Sequence, residues 1–191
     1  MTVNIWNIMN FYTADPHFFH SNILKFCKRP FGSVGEMNRK ILHNYQSTVS
    51  DDDDLWILGD VAVVHVDAAP ELSAMLASIP GRKHLITGNH DKAWIKSLPV
   101  WTSVHGIVEI KDSGHRITLC HYPMITFAGA RHGAVQLFGH VHGNWYGSRN
   151  SVNVGVDCWN FQPVTLKQVM ERAETLPVNP LWSTVEPGTG A

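Results

Sequence analysis

Five short motifs place metal-ligating side chains where apolar runs stop: Asp15-Pro16-His17, Gly59-Asp60, Gly88-Asn89-His90-Asp91, His121 and Gly139-His140-Val141-His142. Together they offer carboxylate oxygen, amide oxygen and imidazole nitrogen, and no thiolate. Such a set suits Mn, Fe, Zn, Co or Ni better than Ca or Mg, and it holds too many donors for one tetrahedral zinc. Two metals sharing one carboxylate would use them all. Glycine precedes three of the motifs, where it lets the chain turn sharply and approach an ion or a phosphate closely. Taken singly, a DxH or a GD at a strand end means little. Five such motifs in this order, each at a strand terminus, are hard to obtain by chance.

The elements that must position these residues follow from apolar spacing. Ile8 to Ala14 reads as a strand that stops at Asp15-Pro16, since proline cannot donate to a ladder. SNILKFCKR (21–29) reads as a short helix closed by Pro30. Ser33 and Glu36 have capping-box spacing, and Val34, Met37, Ile41, Tyr45 and Val49 recur at helical intervals, which predicts a helix over 34–49. Leu55 to Leu58 is a buried strand ending at Gly59-Asp60. A second amphipathic helix over 68–79 carries Leu72, Met75, Leu76 and Ile79 on one face and ends at Pro80-Gly81. A strand over 84–87 leads into GNHD.

Beyond Lys92, Val104 to Ile110 and Arg116 to Cys120 read as a hairpin turned at Asp112-Ser113-Gly114. Strands over 135–138 and 151–156 follow. A mixed first half and a strand-rich second half predict an α/β sandwich with helices outside. In open α/β sheets the carboxyl ends of the strands line one edge, so the five motifs can converge there.

Length and charge narrow the classes. The 191 residues, 44% hydrophobic, suit one globular domain, expected over 1–173, followed by a surface tail over 174–191 rich in proline and glycine. A formal net charge of −1 gives no global case for a nucleic-acid coat or an anionic membrane surface. No apolar run approaches the roughly 20 residues that span a bilayer, and the N-terminus lacks a basic and apolar leader, so a cytoplasmic protein is expected. Cys27, Cys120 and Cys158 are widely spaced and read as buried free thiols. Asp51 to Asp54 read as a solvated turn, because consecutive carboxylates cannot all face one ion.

The series of motifs resembles the calcineurin-like metallophosphoesterase family, over about residues 10–157. The resemblance implies a four-layer α/β/β/α sandwich with a dinuclear metal site at the strand carboxyl ends. It implies that Asp15, His17 and His142 hold one metal, that Asn89, His121 and His140 hold a second, and that Asp60 bridges both. Two divalent cations about 3.5–4 Å apart can activate water and grip the phosphoryl oxygens. Manganese is the first choice in an assay, with Fe, Zn, Ni or Co as alternatives. His90 is implied to stay off the metals beside the leaving group as general acid, with Asp91 orienting its ring.

Pro16 departs from residues such as Thr that relatives carry in the DxH motif, which removes one backbone donor. His20, Asn22, His65 and Arg29 are candidates for a substrate rim. Arg29 also belongs to a basic group with Lys25, Lys28, Arg39 and Lys40 that reads as a solvated face or an anion-guiding rim. The remaining histidines, His43, His84, His105, His115 and His132, carry no supporting spacing.

The leading expectation is hydrolysis of a small phosphoester, with a phosphodiester such as a 2′,3′-cyclic nucleotide favoured. A phosphomonoesterase acting on nucleotides or phosphoproteins and a non-catalytic metal-binding scaffold stand beside it. Long nucleic acid is disfavoured by the neutral charge and by the absence of a domain to hold a polymer.

Overall fold

The computed structural model describes residues 8–185. In chain order the elements are β1 (Asn10–Thr13), α1 (Ile23–Phe26), α2 (Val34–Thr48), β2 (Asp54–Leu58), α3 (Ala69–Ala77), β3 (Arg82–Ile86), α4 (Ala93–Lys96), β4 (Trp101–His105) and β5 (Ile107–Asp112). There follow β6 (His115–Cys120), β7 (Val135–Phe138), β8 (Gly147–Ser148), β9 (Ser151–Asn153), β10 (Val164–Thr165), α5 (Leu166–Thr175) and α6 (Trp182–Val185). The first sheet has the order β10-β1-β2-β3-β4, parallel except for β10, and the second has the order β5-β6-β7-β9-β8. Within the second, β6, β7 and β9 run parallel.

Period-two alternation sorts each central strand between two apolar layers. Phe11, Leu55, Ile57 and Leu85 face the helices, where Met37, Ile41 and Tyr45 of α2 and Leu72 and Leu76 of α3 cover them. Tyr12, Trp56, Leu58 and Ile86 face the other way. They meet Ile117, Leu119, Val135, Leu137 and Val152 of the second sheet, with Leu166, Val169 and Ala173 of α5. Each large side chain buried in this way contributes about 1.5–3 kcal/mol.

On the far side of the second sheet, the Gln136 side chain bonds Tyr122 O and Met124 N–H, which draws the following segment over the outer face. There Phe127, Ala130 and Ala134 pack with Met124 and Trp182. The architecture is thus the expected α/β/β/α sandwich, with short helical turns as its fourth layer. Helix α2 starts where its sequence says it should, because Ser33 Oγ accepts the Glu36 N–H at 3.1 Å. No helix among the described residues is long and apolar enough to cross a membrane.

Several local expectations are corrected. The run 104–110 is not one strand. It divides at Gly106, so that β4 pairs with β3 in the first sheet while β5 opens the second. Asp51 and Asp52 are exposed, but Asp53 is buried and accepts the N–H groups of Met9 and Ser50, and Asp54 opens β2. Of the thiols only Cys158 is buried, and Cys27 and Cys120 are half-buried. Helix α5 runs to Thr175, two residues into the tail expected over 174–191, and residues 186–191 of that expected tail lie outside the described residues.

Asp54 gives the fold a pH dependence remote from the candidate site. Its Oδ1 meets Arg82 Nε and His84 Nε2, each at 2.8 Å, and its Oδ2 meets Arg82 Nη2 at 2.8 Å. Burial pushes its pKa up, but the bonds from Arg82 and His84 outweigh this and leave it below the ordinary value. A carboxyl with a depressed folded pKa contributes stability above its unfolded pKa of about 3.9 and loses it as pH falls through the folded value. Urea unfolding should therefore show the native chain more stable than Asp54→Asn at pH 6, with the gap closing below pH 4. A constant gap across that range would refute the linkage.

Candidate metal centre

Both sheets deliver their parallel carboxyl ends to one edge, and an isolated parallel bridge between Ala14 and Gly155 joins them there. From the first sheet come Asp15 and His17 after β1, Asp60 after β2 and residues 88–91 after β3. From the second come His121 after β6 and His140 and His142 after β7. Five of these residues have left-handed backbone: Asp15 (φ 56), His17 (φ 51), Asp60 (φ 55), His140 (φ 69) and His142 (φ 50). Each such residue costs about 1–3 kcal/mol and persists only where its surroundings hold it. Here Asp15 N–H donates to Gly59 O at 3.1 Å, His17 N–H to Asp60 O at 3.0 Å, and His140 N–H to Asp15 Oδ2 at 2.8 Å. Glycine at 139 is required by space, because a Cβ there would stand 2.5 Å from Asp15 Oδ2.

Two groups of donors result. Ligand atoms of Asp15, His17 and His142 lie within 4.8 Å of one another, as do those of Asp60, His121 and His140. Asp60 Oδ2 stands between the groups, 3.5 Å from His17 Nε2 and 3.5 Å from His121 Nε2. Asn89 Oδ1 is 3.1 Å from His121 Nε2. The structure thus brings together all seven residues expected as metal ligands.

The electrostatics of the set fit a cation. Asp15 Oδ1 and His17 Nε2 are buried without a hydrogen-bond partner, a costly state for polar atoms. Burial, then the Asp60 charge, pushes the Asp15 carboxyl well above its ordinary pKa. Burial, then His142 and Arg29, lowers His17 to about 2, and burial also lowers His140. Neutral imidazole lone pairs and crowded carboxylates therefore face one space, which a divalent metal would relieve. Cys27 Sγ forms a third group with His142 and Asp157, and burial pushes its thiol up to about 11. Both Asp157 oxygens are already engaged.

Asp157 was missed by sequence reasoning. It receives His142 Nδ1 at 2.9 Å and a bidentate bond from Arg29 at 2.8 and 2.9 Å. Burial raises its pKa, but the bonds from His142 and Arg29 outweigh this and hold the carboxyl below its ordinary value. A carboxylate bonded in this way fixes ring orientation and tautomer, leaving His142 Nε2 for a metal. The available signal was Asp157, a carboxylate just past a strand and two residues after Gly155.

Arg29 is not a rim residue. It is 5% exposed and bonds Asp15 O and Pro16 O as well as Asp157, because the DPH loop closes over it. The His65 side chain is 77% exposed, with Nδ1 2.9 Å from Asp67 Oδ2. Asn22 is exposed at the start of α1 and accepts the N–H groups of Lys25 and Phe26 through its backbone. His20 does reach the cluster, its ring 5.2 Å from that of His17 and 6.2 Å from that of His90.

His90 stands free of the two donor groups, with its side chain 43% exposed and Nε2 4.0 Å from Asp60 Oδ2. Asp91 does not orient it. The Asp91 carboxylate instead accepts the backbone N–H groups of Gly88, Asp60 and Val61 at 2.7, 3.0 and 2.9 Å, tying the GNHD turn to the Asp60 loop. A carboxylate one residue on points into the fold, where it pairs these three donors.

No family model matches the chain. It is 31% identical over 168 residues to the uncharacterized protein MJ1445 of Methanocaldococcus jannaschii, covering 84% of this chain and 89% of that one. It is 26% identical over 179 residues to the gene 66 protein of Mycobacterium phage L5, covering 78% and 86%. Among solved structures it resembles the protein of unknown function AQ665 from Aquifex aeolicus, with a TM-score of 0.71 and 26% identity over 87% of this chain and all of that one.

Proposed function

We propose, for a chain that belongs to the same family as the uncharacterized protein MJ1445 of Methanocaldococcus jannaschii, a metal-dependent phosphoesterase that hydrolyses small phosphodiesters, cyclic nucleotides among them. The observation that carries the reading is Asp60 Oδ2 set between two groups of imidazole and carboxylate donors. Asp15, His17 and His142 would hold one divalent ion and Asn89, His121 and His140 a second, with Asp60 shared. Such ions supply Lewis acidity toward water and the phosphoryl oxygens. His90, close to the cluster yet outside both donor groups, would give a proton to the departing oxygen.

The preference for diesters rests on Arg29. A monoester dianion has a third non-bridging oxygen that profits from a cationic clamp. The Arg29 guanidinium has its donors committed to Asp15 O, Pro16 O, Met37 Sδ and Asp157, so it offers nothing to a phosphate. With manganese loaded, 2′,3′-cyclic nucleotides and bis(4-nitrophenyl) phosphate should be hydrolysed with kcat/KM about tenfold or more above matched monoesters, the scale of one charged hydrogen bond. A monoester preference would make the protein a phosphatase. Failure on every ester with metal retained would leave a metal-binding module without this chemistry.

A further inference from the structure

Two exposed aromatic rings stand at the ends of the histidine cluster. Phe26 is 72% exposed and meets His20 edge-on at 6.2 Å. Tyr122 is 44% exposed and meets His140 at 4.8 Å and His121 at 4.9 Å. The order of contacts is Phe26, His20, His17, Asp60, then His121 and His140, then Tyr122. Tyr122 therefore touches the second donor group directly, Phe26 reaches the first through His20, and the shared carboxylate lies between them. Rings this exposed contribute little to the core and keep area open to a planar group.

We propose that Phe26 and Tyr122 are stacking platforms for the two organic arms of a linear phosphodiester, so that the preferred substrate is a short single-stranded oligonucleotide or dinucleotide. This deepens the phosphodiesterase reading and rests on it. A 2′,3′-cyclic nucleotide carries one base and leaves one platform unused. A linear diester carries a group on each side of the scissile phosphorus, as the two-ended site does. Lys25 and Lys28, exposed on either side of Phe26 in the chain, add positive charge where a further phosphate would run.

His90 assigns the arms. Its ring lies 5.3 Å from His17 and 6.2 Å from His20, toward the Phe26 end. Phe26 therefore holds the leaving arm and Tyr122 the retained one. The water oxygen forms a new P–O bond as the bond to the leaving oxygen breaks, the departing oxygen takes the proton from His90, the proton released by the water restores His90, and a monoester stays at the Tyr122 end.

Two diesters with one leaving group, phenyl 4-nitrophenyl phosphate and methyl 4-nitrophenyl phosphate, separate the arms. A base stacked on an aromatic residue is worth about 5- to 150-fold. Tyr122→Ala should lower kcat/KM for the phenyl ester by about tenfold more than for the methyl ester, an effect on that scale, with Tyr122→Phe restoring it. Phe26→Ala should lower both esters alike. Calorimetric titration of a methylphosphonate-linked dithymidine gives a readout independent of turnover, and its affinity should fall in each alanine variant and recover in Phe26→Trp. Equal losses on both esters in Tyr122→Ala, or dinucleotide binding indifferent to both substitutions, would overturn the proposal. If neither ester is hydrolysed while dinucleotide binding still depends on both rings, the platforms stand and the hydrolase reading falls.

Discussion

Asp60→Ala is expected to lose both metals together and with them hydrolysis, the largest single effect predicted. Removing the carboxylate faced by His17 Nε2, His121 Nε2 and His90 Nε2 leaves Asp15 as the one carboxylate among the expected ligands to help hold two dications. Loss of an outer partner of a metal ligand typically costs about 10–100-fold in affinity, and loss of the shared ligand should exceed that. Asp60 Oδ1 also accepts the His90 N–H at 2.9 Å, so alanine frees the GNHD turn as well. Asp60→Asn separates the two roles, because an amide oxygen can keep that bond without the charge. Metal analysis after desalting checks both variants. Two ions per chain and full activity in Asp60→Ala would sink the shared-ligand assignment.

His90→Ala should keep its metals and lose turnover by about 10²–10⁴ on diesters with alkoxide leaving groups, the usual worth of a general acid. The loss on 4-nitrophenyl esters should be much smaller, since that leaving group departs without a proton. A loss equal for both classes would mean that His90 positions substrate, and loss of metal would make it a ligand. Asp91→Asn should behave differently. Its oxygens hold Gly88, Asp60 and Val61, so its substitution should weaken metal retention without the leaving-group pattern of His90→Ala.

The donor set was legible because its residues interrupt apolar strands. Asp15, Asp60, Asn89, His121 and His140 each follow a run that has to be buried on both faces, and a polar group there has to serve something at the sheet edge. Helix α2 was legible for a similar reason, since Met37, Ile41 and Tyr45 repeat at the spacing of one buried face.

What supports the site was harder to see. Arg29 and Asp157 are 128 positions apart, and a basic residue in a basic stretch gives no sign that it will be enclosed. The transfer between sheets at Gly106 was hidden because that single residue separates β4 from β5, and both strands alternate exposed and half-buried positions in the same way. Helix α5 carried a readable signal in Thr165-x-x-Gln168, which closes a full capping box.

The joining of Ala14 to Gly155 has a consequence for how the protein is made. A nascent chain that has emerged only as far as β4 can pair β1 to β4, but Tyr12, Trp56, Leu58 and Ile86 then have no second sheet to cover them. It also holds Asp15, His17, Asp60 and Asn89 without the three histidines that complete them. At roughly 5–20 residues per second, translation leaves that sticky, half-liganded face uncovered for seconds. Cations met during that interval find an incomplete nest, so ion capture and closure of the apolar interface become one late event, governed by the arrival of the last parallel strand, β9.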